Sequence, residues 1–309
     1  MANYTWNGAA GDYLDPAQWT PNDVPLYGSD TVATVGSGAV TLSDAEPNGI
    51  TLTLGAGGTF YQIIQDGRGG LLPVPDVPIL VLSNGALGPD MALDVFSPAR
   101  LIVEGDDTNY GQINVAPFGD TQALGNSRSL YVSILGGSQL NQEGTIAVIT
   151  PQTVSPVDSR LTVLGGTLNN DGQIFIGPGS AATFGTSIIG SGTITVDHAT
   201  VFLDSTASTQ TVDLLGGRLT APLTLEATIK DWNSDGHMEF GNVGGAGSVS
   251  SAQFNQTSDA GGNLQLFGAS GAQVGDLHLL GTYATSDFTI TRLPGASGIS
   301  VSGIAPPSV

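Results

Sequence analysis

Cysteine is absent, so neither a disulfide nor a thiolate metal site can form. Lysine occurs once, at Lys230, and there are six arginines and three histidines. The 27 acidic residues divide into 22 Asp and 5 Glu, and against seven bases they leave a net charge of −20. Phosphate binding needs clustered Lys and Arg, so this balance excludes nucleic acid as an expected partner. It also disfavours adsorption to anionic membranes. Glu and Lys favour helices whereas Asp favours turns, so the chain has little material for exposed helical faces. No basic n-region and apolar h-region open the sequence, and no secretory signal is expected in Met1–Trp6. The most apolar stretch, Leu71 to Leu87, is broken by Pro73, Pro75, Asp76 and Pro78 and is not expected to insert in a membrane. Catalytic signatures are missing as well: there is no Gly-x-Ser-x-Gly, no His-Glu-x-x-His, no phosphate loop and no dinucleotide fingerprint.

What is present points to strands. Hydrophobic residues make up 40% of the 309, enough for a real core, and there are 45 glycines. Thr31-Val32-Ala33-Thr34-Val35, Ala39-Val40-Thr41-Leu42 and Ile50-Thr51-Leu52-Thr53-Leu54 alternate polar and apolar residues. Such alternation turns one face inward and the other outward. Between them, Gly36-Ser37-Gly38 and Gly55 to Gly58 supply turns.

The middle of the chain repeats itself imperfectly. Leu135-Gly136-Gly137 leads to Gly144-Thr145-Ile146-Ala147-Val148, and Leu164-Gly165-Gly166 leads to Gly172-Gln173-Ile174-Phe175-Ile176. Partial copies begin at Gly111, Gly192 and Leu215. The marker glycines Gly111, Gly144, Gly172 and Gly192 lie 33, 28 and 20 residues apart. That irregular period predicts a parallel, right-handed β-helix, or solenoid, with loops of variable length. One turn of strands cannot bury its apolar face alone, but stacked turns create a continuous core. The expected organisation is an N-terminal cap over 1–30, a β-solenoid over 31–250, and a C-terminal β segment with a tail over 251–309. Trp6, Tyr13, Trp19 and Tyr27 concentrate aromatics in the first part, and Ala305 to Val309 form the tail.

The N-terminal run Thr5-Trp6-Asn7-Gly8, Gly11-Asp12, Asp15-Pro16-Ala17-Gln18-Trp19, Val24-Pro25 and Asp30-Thr31-Val32 resembles the start of passenger regions in bacterial autotransporter-like and β-helix surface proteins. The Leu-Gly-Gly and Asn-Asn-x-Gly-x-Ile segments are similar to their rungs. Gly281-Thr282-Tyr283 and Ser286-Asp287-Phe288-Thr289 resemble the ends of bacterial proteins exported without a cleaved N-terminal signal. No membrane-barrel translocator is expected at the C-terminus of this sequence. The resemblance implies an extracellular or bacterial cell-surface setting.

Candidate chemistry is sparse. His198, His237 and His278 are far apart and read as turn or surface residues. Asp106 with Asp107, and Asp197 with Asp204, are the carboxylates considered for glycan hydrolysis. The scattered arginines offer little to hold a polyuronide, and the net charge repels one. Asp231-Trp232-Asn233-Ser234-Asp235-Gly236 matches the opening of a Ca²⁺ loop, with Asp231, Asn233, Asp235 and Glu239 as oxygen ligands, although Asn242 stands where the closing acid belongs. Trp6, Trp19 and Trp232 are a candidate sugar platform, with core packing as the competing use. The expectation is a non-enzymatic structural or adhesive protein that requires no cofactor. It assembles with copies of itself or other surface proteins into a filament, matrix or surface layer, or mediates attachment. The alternative is a polysaccharide-binding or polysaccharide-degrading β-helix.

Overall fold

The computed structural model describes residues 2–7, 11–25, 27–35, 39–43, 48–54, 61–65, 71–75, 79–83, 86–88, 92–95, 99–115, 128–150, 159–206, 209–241, 249–293 and 296–301. The Gly36–Gly38 and Gly55–Gly58 turns, Asn242 and the tail lie outside them. Among the described residues there is no α-helix, and the only helical turns are two short 3₁₀ segments, Pro16–Gln18 and Thr285–Asp287. No described helix is long and apolar enough to cross a membrane.

The protein is all-β, with strands joined mainly in parallel. In the first long sheet, ten strands follow in chain order from Ala2–Trp6 through Tyr27–Val35, Asn48–Leu54, Ala92–Val95, Gln112–Val115, Thr145–Val148, Gln173–Ile176, Thr193–Val196 and Thr211–Leu214 to Thr228–Lys230. The second runs from Gly11–Asp12 through Ala39–Ser43, Ile79–Ser83, Ala99–Val103, Arg128–Gln142, Ser159–Asn170, Ala181–Ile189, Ala199–Thr206 and Gly217–Ala221 to Gly236–Gly241. From Ala92 onward the chain crosses to the other sheet and returns one strand further along. The apolar stretch from Leu71 contributes Leu71–Pro75 to a hairpin with Tyr61–Gln65, and Ile79–Ser83 to the second sheet.

Alternation decides which side chains meet. Ile113, Ile146, Ile174, Ile194, Val212 and Ile229 sit in register and are fully buried, as are Val115, Val148, Ile176, Val196 and Leu214 two residues on. Opposite them, Leu101, Val132, Val163, Phe184 and Leu203 form an inward column of the second sheet. All belong to one hydrophobic cluster. Burying each such side chain is worth about 1.5–3 kcal/mol, which offsets the entropy of ordering a chain this rich in glycine.

The marker glycines explain the repeat. The carbonyl of Gly111 accepts from the Thr145 N–H, that of Gly144 from Gln173, that of Gly172 from Thr193 and that of Gly192 from Thr211, at 2.9–3.1 Å. A Cβ on Gly144 would lie 2.0 Å from the Gly111 oxygen, one on Gly172 2.2 Å from the Gly144 oxygen, and one on Gly192 2.4 Å from the Gly172 oxygen. Glycine is required here by close backbone approach. The offset between stacked strands falls from 33 residues at Gln112/Thr145 to 28, 20, 18 and finally 17 at Thr211/Thr228.

Beside this column runs a buried line of amides: Asn109, Gln142, Asn170 and Gln210, each 0% exposed. Asn109 Nδ2 donates to Gln142 Oε1 at 2.7 Å, and Asn170 Nδ2 to Gln210 Oε1 at 2.9 Å. Gln210 Nε2 donates to the Asn170 and Ile189 carbonyls at 2.7 and 2.9 Å. The intervening level carries Gly190 and Gly192, where a Cβ would strike the Asn170 carbonyl or amide. The glycines therefore open the path by which Gln210 reaches Asn170.

The Leu-Gly-Gly steps are not equivalent. Gly137, Gly165 and Gly166, all at positive φ, form corners within the strands Arg128–Gln142 and Ser159–Asn170, where the register shifts. Leu215-Gly216-Gly217 instead lies between Thr211–Leu214 of the first sheet and Gly217–Ala221 of the second. The sequence match there joins two different corners.

Both ends change character. At one, Trp19–Thr20 pairs antiparallel with Ala2–Trp6, and the rings of Trp6 and Tyr13 meet Trp19 edge-on at 5.0 and 5.1 Å. The Trp19 indole donates to the Tyr13 carbonyl and the Tyr13 hydroxyl to that of Pro25. Burial pushes the Tyr13 phenol far above its ordinary pKa. At the other, Gln273–Leu280 joins Thr228–Lys230 in parallel, then Gly261–Gly268 and Val249–Ser258 follow antiparallel. The second sheet ends in the antiparallel strands Ala296–Val301 and Phe288–Leu293. Phe288 lies within 5.9 Å of the Trp232, Phe254 and Tyr283 rings. Burial, and then the Asp231 charge, push the Tyr283 phenol up to about 12, while its hydroxyl donates to the Trp232 carbonyl.

Gly172→Ala forces a methyl against the Gly144 carbonyl and is expected to cost about 3 kcal/mol. Gly136→Ala, where nothing lies within 4 Å of the new Cβ, is expected to change stability by less than about 0.5 kcal/mol. Equilibrium denaturation of the two variants checks the contrast.

Candidate functional site

The segment 231–236 is the turn that carries the chain from Thr228–Lys230 to Gly236–Gly241. Its second residue, Trp232, is 1% exposed and donates its indole N–H to the Gly236 carbonyl at 3.0 Å. Asn233 is also buried: Oδ1 accepts from the Asp235 N–H at 2.8 Å, and Nδ2 donates to the Leu215 carbonyl at 3.2 Å. Asp231 has φ of 55°, and Lys230 Nζ lies 2.9 Å from its carboxylate. Glu239 lies 3.2 Å from Arg218 on the next strand. Asp231, Asn233 and Glu239 thus meet protein partners, Asp235 engages Asn233 through its backbone N–H, and Asp231, Asp235 and Glu239 are not gathered into one group. Among the described residues no set of three or more His, Asp or Glu is placed to hold a metal ion. The segment forms a hydrogen-bonded turn.

Lys230 also reaches Asp213 at 3.3 Å, on the neighbouring strand of the first sheet. Burial pushes the Asp213 carboxyl above its ordinary pKa, Lys230 opposes this, and Asp231 adds to it. Lys230 itself is raised, first by its hydrogen bond to Asp231. One ammonium therefore holds two carboxylates on the outer face of the first sheet.

The other candidates separate. Asp106 and Asp107 are consecutive in one strand, so they point to opposite faces: Asp106 is exposed and Asp107 is buried. They are not a pair flanking one glycosidic bond. Asp197 lies 2.7 Å from His198 Nδ1, in a turn with His198 at φ 49° and its ring over Gly216. Asp204 is an exposed residue of Ala199–Thr206. His237 and His278 lie on strands of different sheets. Trp6, Trp19 and Trp232 are all buried, so core packing accounts for them and no Trp platform exists.

A different surface emerges from the register. On the outer side of the second sheet, Arg100, Tyr131, Thr162, Thr183, Phe202 and Thr220 stand in one column. Ser129, Arg160, Ala181, Thr200 and Arg218 stand in the column beside it. Tyr131 and Phe202 are 46% and 40% exposed, as Tyr110 is at 40%, in a protein whose tryptophans are all buried. Parallel strands are spaced about 4.8 Å, so three steps put these rings about 14 Å apart along the stack, with Thr162 and Thr183 between them. Leu164, 47% exposed, stands two residues beyond Thr162, and its Cδ2 lies where a Cβ on Gly185 would be, at 2.8 Å. Arg100, Arg160 and Arg218 are three of the seven bases of the whole chain. Sequence reading missed this face. Tyr131 and Phe202 do occupy outward positions of alternating segments, which was the available signal, but nothing in the sequence aligned the two segments.

No known protein-family model matches the chain, and no curated protein matches it either.

Lys230→Met is expected to destabilise the fold by about 1 kcal/mol at neutral pH. A carboxyl whose folded pKa is raised favours folding below its unfolded value, and that advantage is lost as pH rises through the folded value. Removing Lys230 raises Asp213 further, so the loss should be present at pH 7 and fade toward pH 3, as thermal melts across that range would read. Because Lys230 holds the Asp231 carboxylate and Asn233 Oδ1 accepts from the Asp235 N–H, Asp231→Ala with Asp235→Ala is expected to leave any Ca²⁺-dependent change in melting temperature as it is in the parent.

Proposed function

We infer that this chain is a non-enzymatic extracellular protein, a right-handed parallel β-solenoid, that acts as a structural or adhesive element at a bacterial cell surface. The observation that carries the reading is the glycine column. Its close carbonyl contacts fix one strand above the next, so the chain's stability is directed to a stiff stack. The ten parallel strands of the first sheet span about 43 Å at a spacing of about 4.8 Å. The antiparallel strands and aromatic clusters at both ends serve as caps, which blunt the unpaired edges that stacked sheets otherwise offer.

The mechanism is geometric. A stiff body presents fixed rows of Thr, Ser, Asn and Asp, and partners read those rows. Because the ends are capped, association with further copies proceeds through the flanks, into sheets or bundles. Ca²⁺ would act between acidic flanks, relieving repulsion between −20 bodies.

The exposed Tyr131 and Phe202 with their flanking arginines favour a second reading, polysaccharide binding, over polysaccharide cleavage. Cleavage by hydrolysis would draw on Asp106 and Asp107, which face opposite ways.

Negative-stain electron microscopy of the purified protein, with and without millimolar Ca²⁺, tests the assembly reading. Laterally packed sheets or bundles are expected. Discrete single particles under both conditions would remove self-assembly and leave attachment.

A further inference from the structure

We propose that the outer face of the second sheet between Tyr131 and Phe202 binds an acidic polysaccharide, with the two rings as stacking platforms and the arginines as carboxylate receptors. The inference rests on the attachment arm of the proposed function and names its partner class.

Three properties of the face define the ligand. First, the rings bracket a floor of hydroxyl side chains, Thr162 and Thr183, in a single column. Flat apolar faces separated by hydroxyl donors and acceptors match a chain of sugar rings, whose faces are apolar and whose rims are polar. Binding sites commonly combine aromatic walls with a few placed polar groups.

Second, the basic charge is concentrated at the Tyr131 end, whereas at the Phe202 end Glu239 follows Thr220 in the same column and the exposed Asp204 stands two residues beyond Phe202. Arg100 stands directly beside Tyr131 in register, Arg160 diagonally beside it, and Arg218 diagonally beside Phe202. Arg218 is partly answered by Glu239, yet remains 57% exposed. Guanidinium groups pair with carboxylates through two parallel hydrogen bonds, so the matching ligand carries carboxylates at intervals, as a polyuronate does. The net charge of −20 does not forbid this. At physiological ionic strength the screening length is about 8 Å, so a carboxylate placed at the Tyr131 end responds to Arg100 and Arg160 more than to acids several strands away.

Third, the platform is rigid. Tyr131 and Phe202 are flanked in sequence by the buried Leu130, Val132, Val201 and Leu203. Their spacing is therefore fixed before any ligand arrives, which reduces the ordering cost of binding.

The test is calorimetric titration of the 309-residue chain with oligogalacturonate in about 0.15 M salt, with neutral dextran fragments and oligothymidylate as comparators. Saturable binding to the uronate is expected, with dextran and oligothymidylate weaker. Tyr131→Leu with Phe202→Leu keeps apolar bulk but removes both rings, and Arg100→Gln with Arg160→Gln removes charge. Each pair is expected to weaken binding by about tenfold or more while the thermal midpoint stays near that of the parent. No saturable uronate binding, or variants that bind as the parent does, would overturn the proposal. Equal or tighter binding of dextran would overturn its acidic part, and of oligothymidylate its carbohydrate part. Discrete particles by microscopy with intact uronate binding would sink self-assembly alone, whereas bundles that ignore the uronate would sink this inference alone.

Discussion

A backbone carbonyl pressed against a glycine organises this protein. Where Thr145, Gln173, Thr193 and Thr211 each donate a backbone N–H to the carbonyl of the glycine one level below, any side chain on the next glycine would occupy the space of the accepting oxygen. The contact sets the height of one strand above another and the phase of every residue after it. The isoleucine column follows from that phase, because Ile113, Ile146, Ile174 and Ile194 each stand two residues past a marker glycine. So does the amide line, since Asn109, Gln142, Asn170 and Gln210 stand just before or at the same place. A single slip of one residue would exchange the inward and outward sets along the whole sheet.

The outward sets then carry whatever the molecule does. The first sheet shows Thr and Gln rows and one ammonium shared by two carboxylates. The second shows arginines and two exposed rings. Net charge, averaged over the chain, conceals this difference. A face is a local object, and at the Tyr131 end of this one Arg100 and Arg160 stand within one strand of the ring.

Much of the fold was legible. Alternation in Thr31–Val35 and Ile50–Leu54 marked strands that the structure contains, and the four marker glycines announced stacking before any coordinates. Parallel pairing followed from their irregular spacing. The Leu215-Gly216-Gly217 match misled, because a Gly-Gly pair serves any sharp corner and does not say which. The Ca²⁺ motif at 231–236 was legible as a turn, but its letters could not reveal that Trp232 and Asn233 point inward and that Lys230 holds Asp231. The second-sheet face was the least legible feature. Tyr131 and Phe202 are 71 residues apart in sequence, yet only three strands apart in space, and the register that joins them depends on corners of unequal length.

The unequal corners have a further consequence. The strand-to-strand offset shrinks from 33 residues to 17 while the height of each step stays the same, so chain length and rod length are uncoupled. The ladder behaves as a ruler whose graduations ignore how much material hangs beside each mark. Extra sequence placed where the offset is long, as between the paired Gln112 and Thr145, would add material without altering the pitch. New appendages can be tried out there while the measuring edge keeps its scale.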